Sequence, residues 1–503
     1  MLKQLQEKVA FRIVPAIITF IVFLVILMLP VPEGLENPKA WTLVAIFVAV
    51  ILGIILKVMS IGAMAVIAIT VVALSQVTST SSGAAVNVAL SSFSNQLIWL
   101  IVISVIVAKG LKKTGLGSRI GYLFIALFGK RTLGVGYGIA LCELLLAPFT
   151  PSNTARAGGT IHPIMRSIAN AFNSDPEKGT QNKIGTYLAL VNYHGNPISS
   201  AMFITATAPN PLVVNFVAEA TGSTFQLTWG TWALAMLLPG LVAMALMPLI
   251  IYMISPPEIK ATPNAVSFAK EELSKLGKFS GKEMVMLTTF IIMLLLWAGF
   301  PAAVAGWVGL DSWVPYLKLN ATAVAFVGLV ILLLTGVLNW DDVLSEKSAW
   351  DTLFWFGALV MLADQLNKMG VIKLFSAWLS TTIAASGVSW PIAAAILILV
   401  FLYSHYAFAS TTAHISAMML AFLTVGVHLV PAEYVQVFML MMIAASTIMM
   451  GLTHYATGTS PIIFGSGYVT LGKWWGVGFI MSVCNLIVFG VVGAIWWKML
   501  GYW

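Results

Sequence analysis

The sequence predicts an all-α, polytopic membrane protein with about 11 transmembrane helices plus two re-entrant hairpins, arranged as two inverted repeats of five crossings after an extra first helix. Three observations carry this expectation. Hydrophobic residues make up 59% of the 503 and charged residues only 9%, so lipid is the expected solvent. Apolar stretches long enough to cross a bilayer core, about 20 residues each, recur from Ile13 to Trp497. Two polar interruptions of similar composition stand at matched places in the two halves of the chain.

Several classes drop out on the same grounds. The formal charge of +8 lies almost entirely in loops, where it orients the chain in the membrane and gives no reason to expect a nucleic-acid partner. Cys142 and Cys484 sit singly in apolar stretches and offer neither a disulfide framework nor a metal cluster. A His-Glu-x-x-His motif is missing and no nucleophile with a positioned base is evident, so neither an enzyme nor a cofactor is expected.

Taken in order, Lys3, Lys8 and Arg12 precede an apolar run, 13 to 30, without a cleavage signal, which reads as a retained first helix. Further crossings are expected at 41 to 58, 60 to 77 and 95 to 110, followed by an amphipathic stretch, 117 to 128. Residues 109 to 131 hold six basic side chains and no acidic one, which places this segment in the cytoplasm, and four crossings then place the N-terminus there too. From 133 to 170 the apolar pattern is broken by Thr150-Pro151-Ser152-Asn153-Thr154. Irregular backbone at membrane depth must be buried in protein or line a wet cavity, so a hairpin with its tip inside the membrane is expected. Crossings near 184 to 215 and 229 to 254 follow, the first interrupted at 205 to 211.

A polar linker, 255 to 283, with five lysines and four glutamates, separates the halves and is expected in the cytoplasm. The second half repeats the programme: crossings near 284 to 300, 321 to 338 and 350 to 367, a hairpin at 389 to 425, an interrupted crossing at 432 to 465 and a last one at 475 to 498. Ser152-Asn153-Thr154-Ala155-Arg156 is echoed by Ser410-Thr411-Thr412-Ala413-His414, and Thr205-Ala206-Thr207-Ala208-Pro209 by Thr457-Gly458-Thr459-Ser460-Pro461. The expected organisation is an N-terminal helix and outer loop (1–40), a first repeat (41–254), a linker (255–283) and a second repeat (284–503). An odd number of crossings per repeat makes the repeats inverted, the architecture of secondary transporters.

Inverted repeats bring the two tips together near the midplane. Half-helices starting after Thr154 and Thr412 aim unpaired N–H groups and positive dipole ends into a cavity, which suits carboxylates. The hydroxyls of Ser152, Thr154, Ser410, Thr411 and Thr412 and the amide of Asn153 can donate without carrying charge. A doubled motif predicts two carboxylate subsites and hence a dianion. A single Ser or Thr in a membrane helix is more often a packing residue; the matched pair of polar breaks turns the balance toward a binding site. Arg156 and His414 occupy equivalent places behind the two tips, at a depth where a charge is expensive and therefore suspected of function.

These motifs, Thr150 to Gly159, Ser410 to His414 and the proline-containing breaks, resemble the divalent anion/sodium symporter (DASS) family over essentially the whole chain, and more closely its exchanger branch of bacterial citrate/succinate antiporters and plastid 2-oxoglutarate/malate translocators. The resemblance implies a homodimer, a scaffold domain and a transport domain that moves as an elevator. It implies substrate contact by Ser152, Asn153, Thr154, Ser410, Thr411 and Thr412, with Ser199, Ser200, Thr207, Thr459 and Ser460 nearby. Where the family's symporters carry small neutral residues this chain has Arg156 and His414, and Thr411 stands for an Asn. Fixed positive charge would then replace sodium and favour exchange over net uptake. The expected function is sodium-independent exchange of di- and tricarboxylates such as 2-oxoglutarate, malate, succinate or citrate in a bacterial inner membrane. A sodium- or proton-coupled symporter and an anion channel are the alternatives.

Overall fold

The computed structural model describes residues 11–385 and 387–503; Lys3 and Lys8 of the basic N-terminal start lie outside them. The regular elements among the described residues are all helical, with no strand and a single isolated bridge between Arg131 and Ala261. Six helical runs among them are long and apolar enough to span a bilayer, nine if each bent pair is one span. Four shorter apolar helices, Ile13–Met28, Lys39–Ile55, Ile61–Ser75 and Leu116–Phe128, fall where crossings or the amphipathic stretch are expected from sequence. Three of the six runs, Thr132–Phe149, Trp390–Ala407 and Thr411–Leu429, flank the two polar breaks.

The order of elements in the two halves can be followed side by side. In the first, Gln96–Thr114 stops at Gly115, and Leu116–Phe128 leads into Thr132–Leu146. In the second, Lys347–Lys368 stops just before Gly370, followed by Val371–Ala385, a helix not expected from sequence, and by Trp390–Ser404. Both glycines take positive φ, 78° and 82°, a backbone that a side chain would strain. Each long helix then tightens into a 3₁₀ turn, Ala147–Phe149 or His405–Ala407, opens at the polar tip, and resumes through π-helical turns, Thr154–Ile161 or Ile415–Met419. Such turns shift the register of the following helix and are common at functional sites. Gly185–Met202 and Val435–Ile448 likewise end in 3₁₀ turns before short helices, Asn210–Ala220 and Ser460–Gly465, and long ones, Trp229–Ile254 and Leu471–Met499.

Every residue of Gly185–Met202 is buried, which sets the interrupted helices at the centre, whereas Ile480, Ile487, Val491 and Ile495 leave one side of Leu471–Met499 exposed, as a lipid-facing helix requires. The linker is docked against the fold. Its helix Pro263–Lys275 buries Ala265 and Ala269, Phe268 meets Tyr122 edge-on, and Arg119 bonds Glu283 and the carbonyls of Leu276 and Gly277. Two members of the basic segment reach the other half: Lys109 donates to the Asp342 carbonyl, and Lys113 pairs with the Asp342 carboxylate, which holds that carboxyl below its ordinary range.

Candidate functional site

Both tips and both helix breaks meet at one cavity of about 310 Å³. Ser152, Asn153 and Thr154 line it from the first tip, Ser410, Thr411 and Thr412 from the second, Thr207 to Pro209 from the first break, and Thr457 and Gly458 from the second. Val105, Ser348 and Thr352 close it from Gln96–Thr114 and Lys347–Lys368. Its described lining has no charged side chain, so an anion there meets hydroxyls and backbone dipoles; the Asn153 amide and the Thr411 hydroxyl, expected to donate to it, are spent on protein acceptors instead.

The two serines are used alike. Ser152 Oγ accepts from the Ala155 N–H at 3.2 Å and Ser410 Oγ from the Ala413 N–H at 3.3 Å, the geometry of helix N-caps. Capping occupies a lone pair on each oxygen and leaves its O–H available as a donor. Asn153 Nδ2 donates to Thr457 Oγ1 at 2.9 Å and to Asn196 Oδ1 at 3.2 Å, and Thr411 Oγ1 donates to the Ala456 carbonyl at 3.1 Å. Both tips are thereby pinned to the second break. Gly458 has no room for a side chain: a Cβ there would stand 2.5 Å from Thr154 Oγ1.

Behind the first tip, Arg156 Nε lies 2.7 Å from Glu143 Oε1, both residues without solvent exposure. One Nη1 donates to the carbonyls of Thr150 and Ala206, each at 2.7 Å, and Nη2 to Ser199 and Ser200 Oγ at 3.2 Å. Arg156 therefore joins the tip to the break of its own half. Its charge is matched by Glu143, so the expectation that Arg156 supplies a fixed positive charge in place of sodium is corrected: the pair adds no net charge, and a buried guanidinium without a partner would be too costly.

Behind the second tip the equivalent position, His414, meets no acid among the described residues. Its ring stacks on Phe401 and Phe408, its Nε2 lies 3.0 Å from Ser404 Oγ, and its Nδ1 lies 3.0 Å from His405 Nδ1 and 2.9 Å from the Met449 sulfur. The break carbonyl, Ala456 O, is met by His405 Nε2 at 2.9 Å. In the second half a carbonyl at the start of the break, Ala456 O, is thus met by His405, with His414 behind it.

Four residues expected near substrate do not line the cavity, because their groups are turned elsewhere. Ser199 donates to Glu143, Ser200 accepts from Arg156, and Ser460 bonds Tyr193 and the Thr457 N–H. Thr459 is fully buried, and Thr457, two residues earlier, takes its place in the lining. Sequence reading also passed over Ser348 and Thr352, although their i, i+4 spacing on an apolar crossing marks one face of a helix. Asn196 left no local signal, its partner Asn153 being 43 residues away, and His405 stands out in the sequence only as a polar residue at membrane depth without a counterpart in the other half.

The chain matches the family described as the sodium:sulfate symporter transmembrane region over residues 10–503. It is 46% identical over 501 residues to the transporter YflS of Bacillus subtilis (strain 168), covering 100% of this chain and 99% of that protein. It is 39% identical over 500 residues to the chloroplastic dicarboxylate transporter 1 of Spinacia oleracea, covering 99% of this chain and 84% of the relative. To the L-tartrate/succinate antiporter of Escherichia coli (strain K12) it is 34% identical over 487 residues, 94% of this chain and 96% of the other. The crystal structure of the Alcanivorax borkumensis YdaH transporter is similar in fold, with a TM-score of 0.54 at 12% identity over 81% of this chain and 86% of that one.

Proposed function

The chain belongs to the divalent anion/sodium symporter family of membrane transporters, and from that premise we propose that it carries small di- and tricarboxylate anions by sodium-independent exchange. The observation that carries this reading is the single cavity to which both polar tips and both helix breaks contribute donors without a formal charge. Two capped serines, each with a free O–H and each at the start of a half-helix, form two anion subsites that a dicarboxylate bridges. A tartrate/succinate antiporter and a chloroplast dicarboxylate transporter among the relatives favour the same substrate class, which includes 2-oxoglutarate, malate, succinate and citrate.

In this reading Arg156 does the work of a bound cation at the first tip, by coordinating the Thr150 and Ala206 carbonyls rather than by adding net charge. The Arg156–His405–His414 set stays with the protein when substrate leaves. An empty cavity then holds converging N–H and O–H donors without an acceptor, and carrying them across a dry barrier is costly. Exchange of one anion for another avoids that step. The parallel order of elements favours two inverted repeats, each with a re-entrant hairpin, and about 11 crossings in all. The functional unit is a homodimer in a bacterial inner membrane with the N-terminus in the cytoplasm. Its tips and breaks move together, elevator-fashion, past Gln96–Thr114 and Lys347–Lys368. Sodium-coupled symport is the second reading, favoured by the family's own description.

The test is uptake of labelled succinate and 2-oxoglutarate into proteoliposomes, with and without internal dicarboxylate, in sodium and in sodium-free buffer. Uptake that requires internal dicarboxylate and ignores sodium is expected. A sodium gradient that drives uptake into empty vesicles would establish symport instead, and fluxes far above carrier rates with no counter-substrate would indicate a channel.

A further inference from the structure

We propose that His405 and His414 form a single-proton site that fills when a dianion binds, so that a proton travels with the substrate; this rests on the carboxylate reading above. The observation is a count of hydrogens. Four contacts between nitrogen and oxygen atoms run in series: Phe401 O to Ser404 Oγ at 2.8 Å, Ser404 Oγ to His414 Nε2 at 3.0 Å, His414 Nδ1 to His405 Nδ1 at 3.0 Å, and His405 Nε2 to Ala456 O at 2.9 Å. Two neutral imidazoles and one hydroxyl supply three hydrogens for these four contacts, so one contact always lacks a donor. Added as a fourth hydrogen, a proton completes the series. His405 then carries both ring hydrogens, donating Nε2–H to Ala456 O and Nδ1–H to His414 Nδ1; His414 donates Nε2–H to Ser404 Oγ, and Ser404 donates to Phe401 O. Hydrogen positions follow here from partner chemistry, since Phe401 O and Ala456 O can only accept.

The site is wired to the cavity. Ala456 O, the acceptor of His405, also accepts from Thr411, whose residue lines the cavity, so the pair stands one carbonyl behind the second tip. A positive charge on rings with no solvent exposure is costly unless an opposite charge stands near. The bound dianion supplies that charge. The other groups around the pair leave this role open: Tyr403 turns to Ser482, the Tyr455 hydroxyl donates to the Tyr406 carbonyl, and His454 meets Trp475. Among the described residues neither ring is ion-paired, and the buried Glu143 is matched by Arg156. On loading, a proton from water binds the ring nitrogen; on release of the anion it returns to water.

Like-for-like exchange then moves no net proton, while exchange of anions of unequal charge has its charge difference partly offset. Isothermal titration of succinate into the purified full chain, in buffers of differing ionisation enthalpy between about pH 6 and 8, reads the protons taken up per anion. Uptake approaching one proton per succinate is expected toward the alkaline end, with Kd falling by up to about tenfold per pH unit lowered. His405→Gln, which keeps a donor and an acceptor but cannot be charged, is expected to bind succinate with neither proton uptake nor that slope. Succinate binding by the unaltered protein with zero proton uptake across the range overturns the proposal. Failure of any dicarboxylate to bind would instead remove the carboxylate reading, and the proton site with it.

Discussion

Glu143 Oε1 receives hydrogen bonds from Arg156, Asn196 and Ser199, and Arg156 in turn holds two backbone carbonyls, so neither member of the pair can be removed without stranding the other. Breaking a buried ion pair from one side costs roughly 3–5 kcal/mol, whereas removing both sides costs far less. Arg156→Met and Glu143→Gln are each expected to lower the thermal unfolding temperature strongly, and the double variant to recover part of the loss. Strictly additive losses would argue that the two do not act as a pair. At the cavity wall the capped serines make a different prediction. If the proposed carboxylate subsites hold, Ser152→Ala and Ser410→Ala each remove one O–H donor to a carboxylate, about 1.5–3 kcal/mol for a bond to a charged group, so each should weaken succinate binding by tenfold or more in titration calorimetry.

Short elements decide where those side chains stand. The 3₁₀ turns Ala147–Phe149 and His405–Ala407 tighten the helix just before each tip; Arg156 then lies within the π-turns Thr154–Ile161 and His414 just before the π-turns Ile415–Met419, and both are fully buried. The first tip approaches the second break closely at Gly458. Gly458→Ala places a methyl 2.5 Å from Thr154 Oγ1 and must displace that side chain, so a loss of dicarboxylate affinity at unchanged expression is expected. Normal affinity in this variant would show that the Thr154 position is immaterial to binding. Much at this scale was legible beforehand. The polar breaks, their equivalence and the long apolar helices follow from residue type and period. The docked helix Pro263–Lys275 did not, because its helix-forming residues sit in a linker whose charge reads as solvated.

Across the whole molecule, the cavity is bounded by tips and breaks on one side and by Val105, Ser348 and Thr352 on the other. An elevator requires these two groups to slide past one another. Cysteines placed at Thr352 and Thr412 in a chain cleared of Cys142 and Cys484 should therefore arrest exchange when cross-linked and restore it on reduction. Full exchange by a protein shown to be cross-linked would exclude relative motion at this face.

The sequence by itself determined that this chain is helical, lives in a bilayer and carries two matched polar breaks, because hydropathy and residue type are local properties that no partner can alter. It also singled out the residues of both tips. Only the tertiary structure decided which groups answer which. Arg156 meets Glu143, a pairing across 13 residues that cancels its charge, and the break carbonyl of the second half is met by His405 rather than by the positionally equivalent His414. Thr457 faces the cavity while Thr459 is buried behind it. Charge compensation and side-chain direction depend on atoms brought together by packing, and a linear motif carries neither.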